Sequence, residues 1–89
     1  MDILMKQFEY TITDPQGIHA RPAGLLIKEA SKYESDIKIE AGGKTSDAKR
    51  LFAVMGMGIK CGDKITVSVN GGDEEQAAAS FREFLEKNL

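Results

Sequence analysis

Residues 64–85 read Lys64-Ile65-Thr66-Val67-Ser68-Val69-Asn70-Gly71-Gly72-Asp73-Glu74-Glu75-Gln76-Ala77-Ala78-Ala79-Ser80-Phe81-Arg82-Glu83-Phe84-Leu85, and the hydrophobic period changes in the middle of the stretch. Ile65, Val67 and Val69 alternate with Thr66 and Ser68, the period-two pattern of a strand that buries one face. Beyond the Gly71-Gly72 turn, Ala77, Ala78, Phe81, Phe84 and Leu85 form an apolar stripe at helical spacing, while Glu74, Glu75, Arg82, Glu83 and Lys87 point to water. Asp73 is placed to cap the free amides of that helix, and Gln76 three residues on completes a capping-box-like start. A strand with one face to cover, followed by a helix with one apolar stripe, describes a sheet layered with helices.

The rest of the chain repeats the two patterns. Phe8, Tyr10 and Ile12 alternate with Gln7, Glu9, Thr11 and Thr13 as a half-buried strand, which Asp14-Pro15-Gln16-Gly17 ends in a turn. Ala23, Leu26, Ile27 and Ala30 share a face, so a helix is expected from about Ala20 to Lys32. Ile37, Ile39 and Ala41 alternate again, Gly42-Gly43 turns the chain, and Lys44 to Asp47 returns as a short strand. Arg50 to Met57 reads as a short helix stopped by Gly56 and Gly58. Four amphipathic strands and three helices give an α+β domain, an antiparallel sheet with helices on one face. Periodicity does not give the strand order.

The chain has 89 residues, enough for one core, so it is read as a single domain over 1–89. If Met5 is the start, residues 1–4 are an N-terminal extension. A hydrophobic fraction of 42% with a net charge of only -2 excludes a disordered chain. Lys and Arg number 12 against 14 Asp and Glu, so no basic excess points to nucleic acid. Cys61 is the one cysteine, which excludes an internal disulfide and a cysteine-based metal site and suits a reducing, cytoplasmic setting. Asp63, Asp73, Glu74 and Glu75 are scattered carboxylates without a second ligand type, so neither a metal nor a cofactor is expected. The longest apolar run, Leu51 to Ile59, contains two glycines and is far too short to span a membrane.

The chemical signal is Gly17-Ile18-His19-Ala20-Arg21-Pro22-Ala23. His19, the one histidine, stands where a glycine-bearing loop enters a helix. The first helical turn presents amides without internal partners, and the dipole there is positive, which makes an anion site. Pro22 has no amide hydrogen and a preset backbone angle, so it fits that turn. Arg21 is unfavourable at a positive helix end unless an anion is bound there, and its guanidinium can bridge two phosphoryl oxygens. The local positive field is expected to keep the ring neutral and nucleophilic, and no other residue nearby reads as a general base. Physics alone leaves two readings of His19 open: a surface or capping residue, or a nucleophile that handles a phosphoryl group.

This string resembles the active-site signature of the HPr family, the histidine-containing phosphocarriers of the sugar phosphotransferase system. The similarity runs from Met5 to Leu89, including Lys49 through Ile59 and the Gly62 to Val69 strand. The resemblance implies an open-faced β-sandwich of four antiparallel strands and three helices. It also implies a phosphorelay in which enzyme I, charged from phosphoenolpyruvate, phosphorylates His19 at Nδ1, and the group passes to the histidine of an enzyme IIA domain. Arg21 matches the family's phosphate-contacting arginine and Pro22 its helix-start proline, with the Ala20 and Arg21 amides as backbone contacts. Such a protein is a stoichiometric carrier in the cytoplasm, turning nothing over alone and working as a monomer without nucleic acid or membrane insertion.

The second cluster is Leu51, Phe52, Val54, Met55 and Met57. Two or three of these must be core, yet Leu51, Phe52 and Met55 lie on more than one face, so some are exposed as a docking patch, with Val54 on the core side. In the resemblance, Leu51, Phe52 and Met55 match the hydrophobic docking surface beside the histidine. Many Gram-positive members carry a regulatory serine directly after the lysine that matches Lys49; here that residue is Arg50, and Ser46 lies four residues too early. This argues against control by the serine kinase and gives Arg50 a role in attracting acidic partner surfaces. Two other readings share the scaffold: a paralogue in a specialised or nitrogen-related relay, and a docking module that carries no phosphoryl group.

Overall fold

A computed structural model describes residues 6–89; residues 1–5, which include the alternative start and the extension, lie outside that range. The elements run β1 (Lys6–Thr11), α1 (Ala20–Ala30), β2 (Asp36–Ala41), β3 (Lys44–Asp47), α2 (Leu51–Met55), β4 (Lys64–Asn70) and α3 (Glu74–Asn88). The strands form one antiparallel sheet in the order β1-β4-β2-β3. β4 enters between β1 and β2, so α1 bridges two strands that do not touch, a split β-α-β arrangement. The register aligns Phe8 with Val67 and Tyr10 with Ile65 on one side of β4, and Ile37 with Val69 and Ile39 with Val67 on the other.

That register puts every β-branched apolar residue of the central strands on one face. Ile37, Ile39, Ile65, Val67 and Val69 are fully buried, while Phe8 and Tyr10 on the edge strand are half-buried. Thr66, Ser68, Lys38 and Glu40 occupy the opposite face, which no helix among the described residues covers. All three helices close over the apolar face. α3 contributes Ala77, Phe81 and Leu85 at four-residue intervals, α1 contributes Pro22, Ala23, Leu26 and Ala30, and α2 contributes Val54. Burying each of the large aliphatic chains supplies about 1.5–3 kcal/mol, which locks the pairing because a one-residue slip would turn a whole strand outward.

The element limits differ slightly from those expected. α1 stops at Ala30, not Lys32, because Lys32 and Tyr33 donate to carbonyls only three residues back, Glu29 and Ala30, and tighten the last turn. α2 spans Leu51–Met55 rather than Arg50 to Met57: Arg50 is its N-cap, and Met57 and Gly58 again bond three residues back. β1 ends at Thr11, so Ile12 is buried as loop rather than strand, its amide donating to the Asp63 carbonyl at 3.0 Å. The β2–β3 hairpin turns through Gly42 and Gly43 at φ 58° and 82°, two left-handed residues as a type I′ turn requires.

The start of α3 corrects the sequence reading. Asp73 holds the N-cap position but makes no capping bond from its side chain, and no capping box with Gln76 forms. Its carboxylate instead accepts the Glu34 amide at 3.0 Å, the Ser35 amide at 3.0 Å and a bond from the Ser35 hydroxyl. Ser35 is fully buried, so its donors need an acceptor inside the protein, and a carboxylate satisfies several at once. The expectation that Glu74 faces water also fails: it is buried at 9% exposure, with Oε1 accepting the Gly71 amide at 3.1 Å.

Candidate functional site

The approach to α1 is fastened on three sides. The Thr13 and Asp14 amides donate to the Leu89 carbonyl at 2.6 and 2.8 Å, and the Thr13 hydroxyl adds a third bond to it at 2.9 Å. The Gly62 amide donates to the Ile12 carbonyl at 2.8 Å, and the Ile18 amide to the Ile59 carbonyl at 3.1 Å. Between these anchors Asp14-Pro15-Gln16-Gly17 turns, with the Gly17 amide on the Asp14 carbonyl and the Gln16 amide on Asp14 Oδ1, both at 2.8 Å. Gly17 is buried at φ 68° against the backbone of Ile59 and Lys60, so the turn and the 59–63 loop touch main chain to main chain. Ile18 is buried as a peg, and the next residue, His19, emerges half-exposed.

His19 is the N-cap of α1, with extended backbone at φ −112° and ψ −176°. Its carbonyl accepts the first helical bond, from the Ala23 amide at 2.9 Å, but its side chain makes no capping bond. The capping alternative for His19 is therefore set aside by the geometry. The first-turn amides of Ala20 and Arg21 have no carbonyl four residues behind them in the helix, and Pro22 has no amide to leave unpaired. No acidic residue sits in this first turn. Arg21 is exposed and Pro22 is buried, so the proline packs the helix start inward while the arginine side chain reaches solvent.

Sequence reasoning missed Asp14. Its Oδ2 lies 3.8 Å from His19 Nε2, so the charge beside the ring is not only the positive field expected from the helix end and Arg21. The signal was available in the turn itself, because Asp-Pro-x-Gly reverses the chain and brings its first residue beside the segment that leaves the turn. The Leu89 carbonyl, remote in sequence, gave no such signal.

The docking candidates divide between surface and core, and Leu51, expected on the docking surface, packs against the core. Phe52 is 84% exposed and Met55 37%, Leu51 and Met57 are half-buried against the core, and Val54 is buried. Leu25 on α1, also missed, is 44% exposed. In Leu25-Leu26-Ile27 only part of an apolar triplet can face the core, and that was its signal. α1 packs against α2, so Leu25, Phe52 and Met55 all belong to the helical layer that carries His19. Arg50 is exposed at the head of α2, and Ser46 lies in β3 with its hydroxyl donating to the Ala53 carbonyl at 3.1 Å. Cys61 is exposed, and its thiol lies 3.7 Å from the Thr13 carbonyl. Among the described residues no three His, Cys, Asp or Glu gather as metal ligands, and no helix is long and apolar enough to cross a membrane.

Comparison with known proteins agrees with this arrangement. A protein-family model described as the PTS HPr component phosphorylation site matches residues 6–87. The phosphocarrier protein HPr of Mycoplasma genitalium is 46% identical over 85 residues, covering 94% of this chain and 97% of that protein. The solved structure of a mycoplasma histidine-containing phosphocarrier protein superposes with a TM-score of 0.89 at 41% identity, covering 92% of this chain and 93% of that one. A phosphocarrier protein HPr from Bacillus anthracis superposes with a TM-score of 0.85 at 34% identity, covering 91% and 96%. With the family matched along nearly the whole chain and the fold matched at a TM-score of 0.89, this chain belongs to the HPr family of phosphocarrier proteins of the phosphotransferase system.

Proposed function

We propose that His19 is the residue that carries the phosphoryl group, receiving it from the phosphohistidine of enzyme I and passing it to the histidine of an enzyme IIA domain during sugar uptake. The observation that carries this reading is an N-cap histidine whose side chain caps nothing, half-exposed beside two unpaired amides. The Nδ1 lone pair attacks phosphorus, the Nδ1–P bond forms as the donor's P–N bond breaks, and the donor ring leaves with the electron pair. The Ala20 and Arg21 amides and the Arg21 guanidinium hold the phosphoryl oxygens, and Pro22 fixes the turn that presents them. Positioning and charge stabilisation supply most of the catalysis in such transfers, and this site is built from those elements.

Leu51, Phe52 and Met55 form the docking surface with Arg50 at its edge, and Leu25 extends it onto α1. One apolar patch on the helical layer that carries the histidine suits a monomeric cytoplasmic carrier that meets enzyme I and enzyme IIA in turn. With Arg50 at the head of α2 and the Ser46 hydroxyl engaged by Ala53, kinase control at this helix is not expected. The test is a reconstituted relay of phosphoenolpyruvate, enzyme I, this protein and an enzyme IIA domain. The proposal predicts label on the enzyme IIA domain that requires His19; transfer that persists with His19→Ala would refute it.

A further inference from the structure

Among the groups the transfer step leaves unused, Asp14 is the one the fold holds most firmly against the ring. Its amide donates to the Leu89 carbonyl at 2.8 Å, its carbonyl accepts the Gly17 amide at 2.8 Å, and Oδ1 accepts the Gln16 amide at 2.8 Å. Only Oδ2 is left, and it faces His19 Nε2 at 3.8 Å, with the two side chains 25% and 38% exposed. This is ion-pair separation, and catalytic contacts of this kind commonly tighten only when the partner is bound.

We infer that Asp14 is a positioning residue for the transfer step, orienting the His19 ring through Nε2 and stabilising the charge that appears on it. The inference rests on His19 being the phosphoryl acceptor. A carboxylate facing Nε2 favours the tautomer with the proton on that nitrogen, which leaves the lone pair on Nδ1 for attack. When neutral His19 attacks, the Nδ1–P bond forms, the donor's P–N bond breaks, and the ring becomes a cation that keeps its Nε2 proton. Asp14 faces that cation. In the onward step the Nδ1–P bond breaks, the electron pair returns to Nδ1, and the ring leaves as neutral imidazole because Nε2 has kept its proton. The carboxylate thus acts on both halves of the relay without touching phosphorus, as the aspartate of a Ser-His-Asp triad acts through its histidine.

The test replaces Asp14 with asparagine, which keeps an oxygen for the Gln16 amide and removes only the charge. Three readouts are expected to move together. The kcat for transfer from phospho-enzyme I falls about fivefold with KM unchanged, about 1 kcal/mol and the size a half-exposed ion pair supports. Hydrolysis of the isolated phosphoprotein slows by a similar factor, and nitrogen-15 spectra of the imidazole show a smaller share of the Nε2–H tautomer. Asp14→Ser, which also preserves a side-chain-to-backbone turn without charge, is expected to reproduce the changes should asparagine disturb the loop. Wild-type kcat, hydrolysis and tautomer share in a folded variant would overturn the role of Asp14 while leaving His19 as the acceptor. Phosphoryl acceptance by His19→Ala, in contrast, would remove the reading on which the inference rests.

Discussion

Gly17→Ala asks whether the site depends on the contact between the turn and the 59–63 loop. Gly17 has φ 68°, where an added Cβ costs about 1–2 kcal/mol in backbone strain. That Cβ would lie 2.7 Å from Lys60 Cα and closer still to the Ile59 carbonyl oxygen, and both obstacles are backbone, so no side chain can rotate away. Separating the segments stretches the Ile18–Ile59 hydrogen bond of 3.1 Å, which adds about 1 kcal/mol. The lower entropy of the unfolded alanine chain returns about 0.5 kcal/mol. The net loss is about 1.5–2.5 kcal/mol, or a fall in Tm of about 6–20 °C for a domain of this size. Gly42→Ala is the control, because Gly42 has φ 58° but nothing within 4 Å of its Cβ, so it should lose only about 1 kcal/mol. Urea and thermal denaturation followed by circular dichroism measure both. Equal losses at the two positions would show that the close approach of the loops contributes nothing, and the account of how His19 is positioned would fail.

Other perturbations separate the remaining roles. Arg21→Glu places a carboxylate beside the phosphoryl oxygens and should slow acceptance from phospho-enzyme I by about 100-fold in stopped-flow assays; near-normal kinetics would remove Arg21 from the mechanism. Phe52→Asp should weaken enzyme I binding about tenfold by calorimetry yet shift stability by no more than about 0.5 kcal/mol, since the ring is 84% exposed. A large fall in Tm would instead assign Phe52 to the core. The Ser35 hydroxyl, followed by the Glu34 amide, holds the Asp73 carboxyl below its ordinary value of 3.8. A depressed carboxyl stabilises the fold above its unfolded value and loses that contribution as pH falls through the folded one. Asp73→Asn should therefore lower the urea midpoint at about pH 7, with the gap to the wild type closing below about pH 4; a gap independent of pH would rule out the charge as its source.

Local pattern carried the element types because the central strands and α3 bury nearly all of one face. Ile65, Val67 and Val69, and Ala77, Phe81 and Leu85, each have only one way to face a common core. What pattern missed was set between distant segments. Asp73 bonds to Glu34 and Ser35 instead of its own helix, since a buried serine in another loop competes for the same carboxylate. The placement of β4 between β1 and β2 follows from tertiary packing, and no local spacing records it. The placement of His19, Arg21 and Pro22 at the start of α1 was legible because a helix start dictates which groups remain free. Asp14 was legible only as the start of a turn, whose reversal carries its carboxylate back to the ring, and Leu89 was not legible at all, because it acts across nearly the whole chain. Phe52 and Leu25 show the same division on the surface: the short helix advertised an apolar residue facing outward, whereas the one on α1 was hidden inside an apolar triplet.

The most direct test is intact-mass analysis of the purified protein after incubation with phosphoenolpyruvate and enzyme I. The account predicts a gain of one phosphoryl group that is labile in acid, stable in base and missing in a folded His19→Ala variant. The same gain in His19→Ala, or none in the wild type beside an active control carrier, would contradict it.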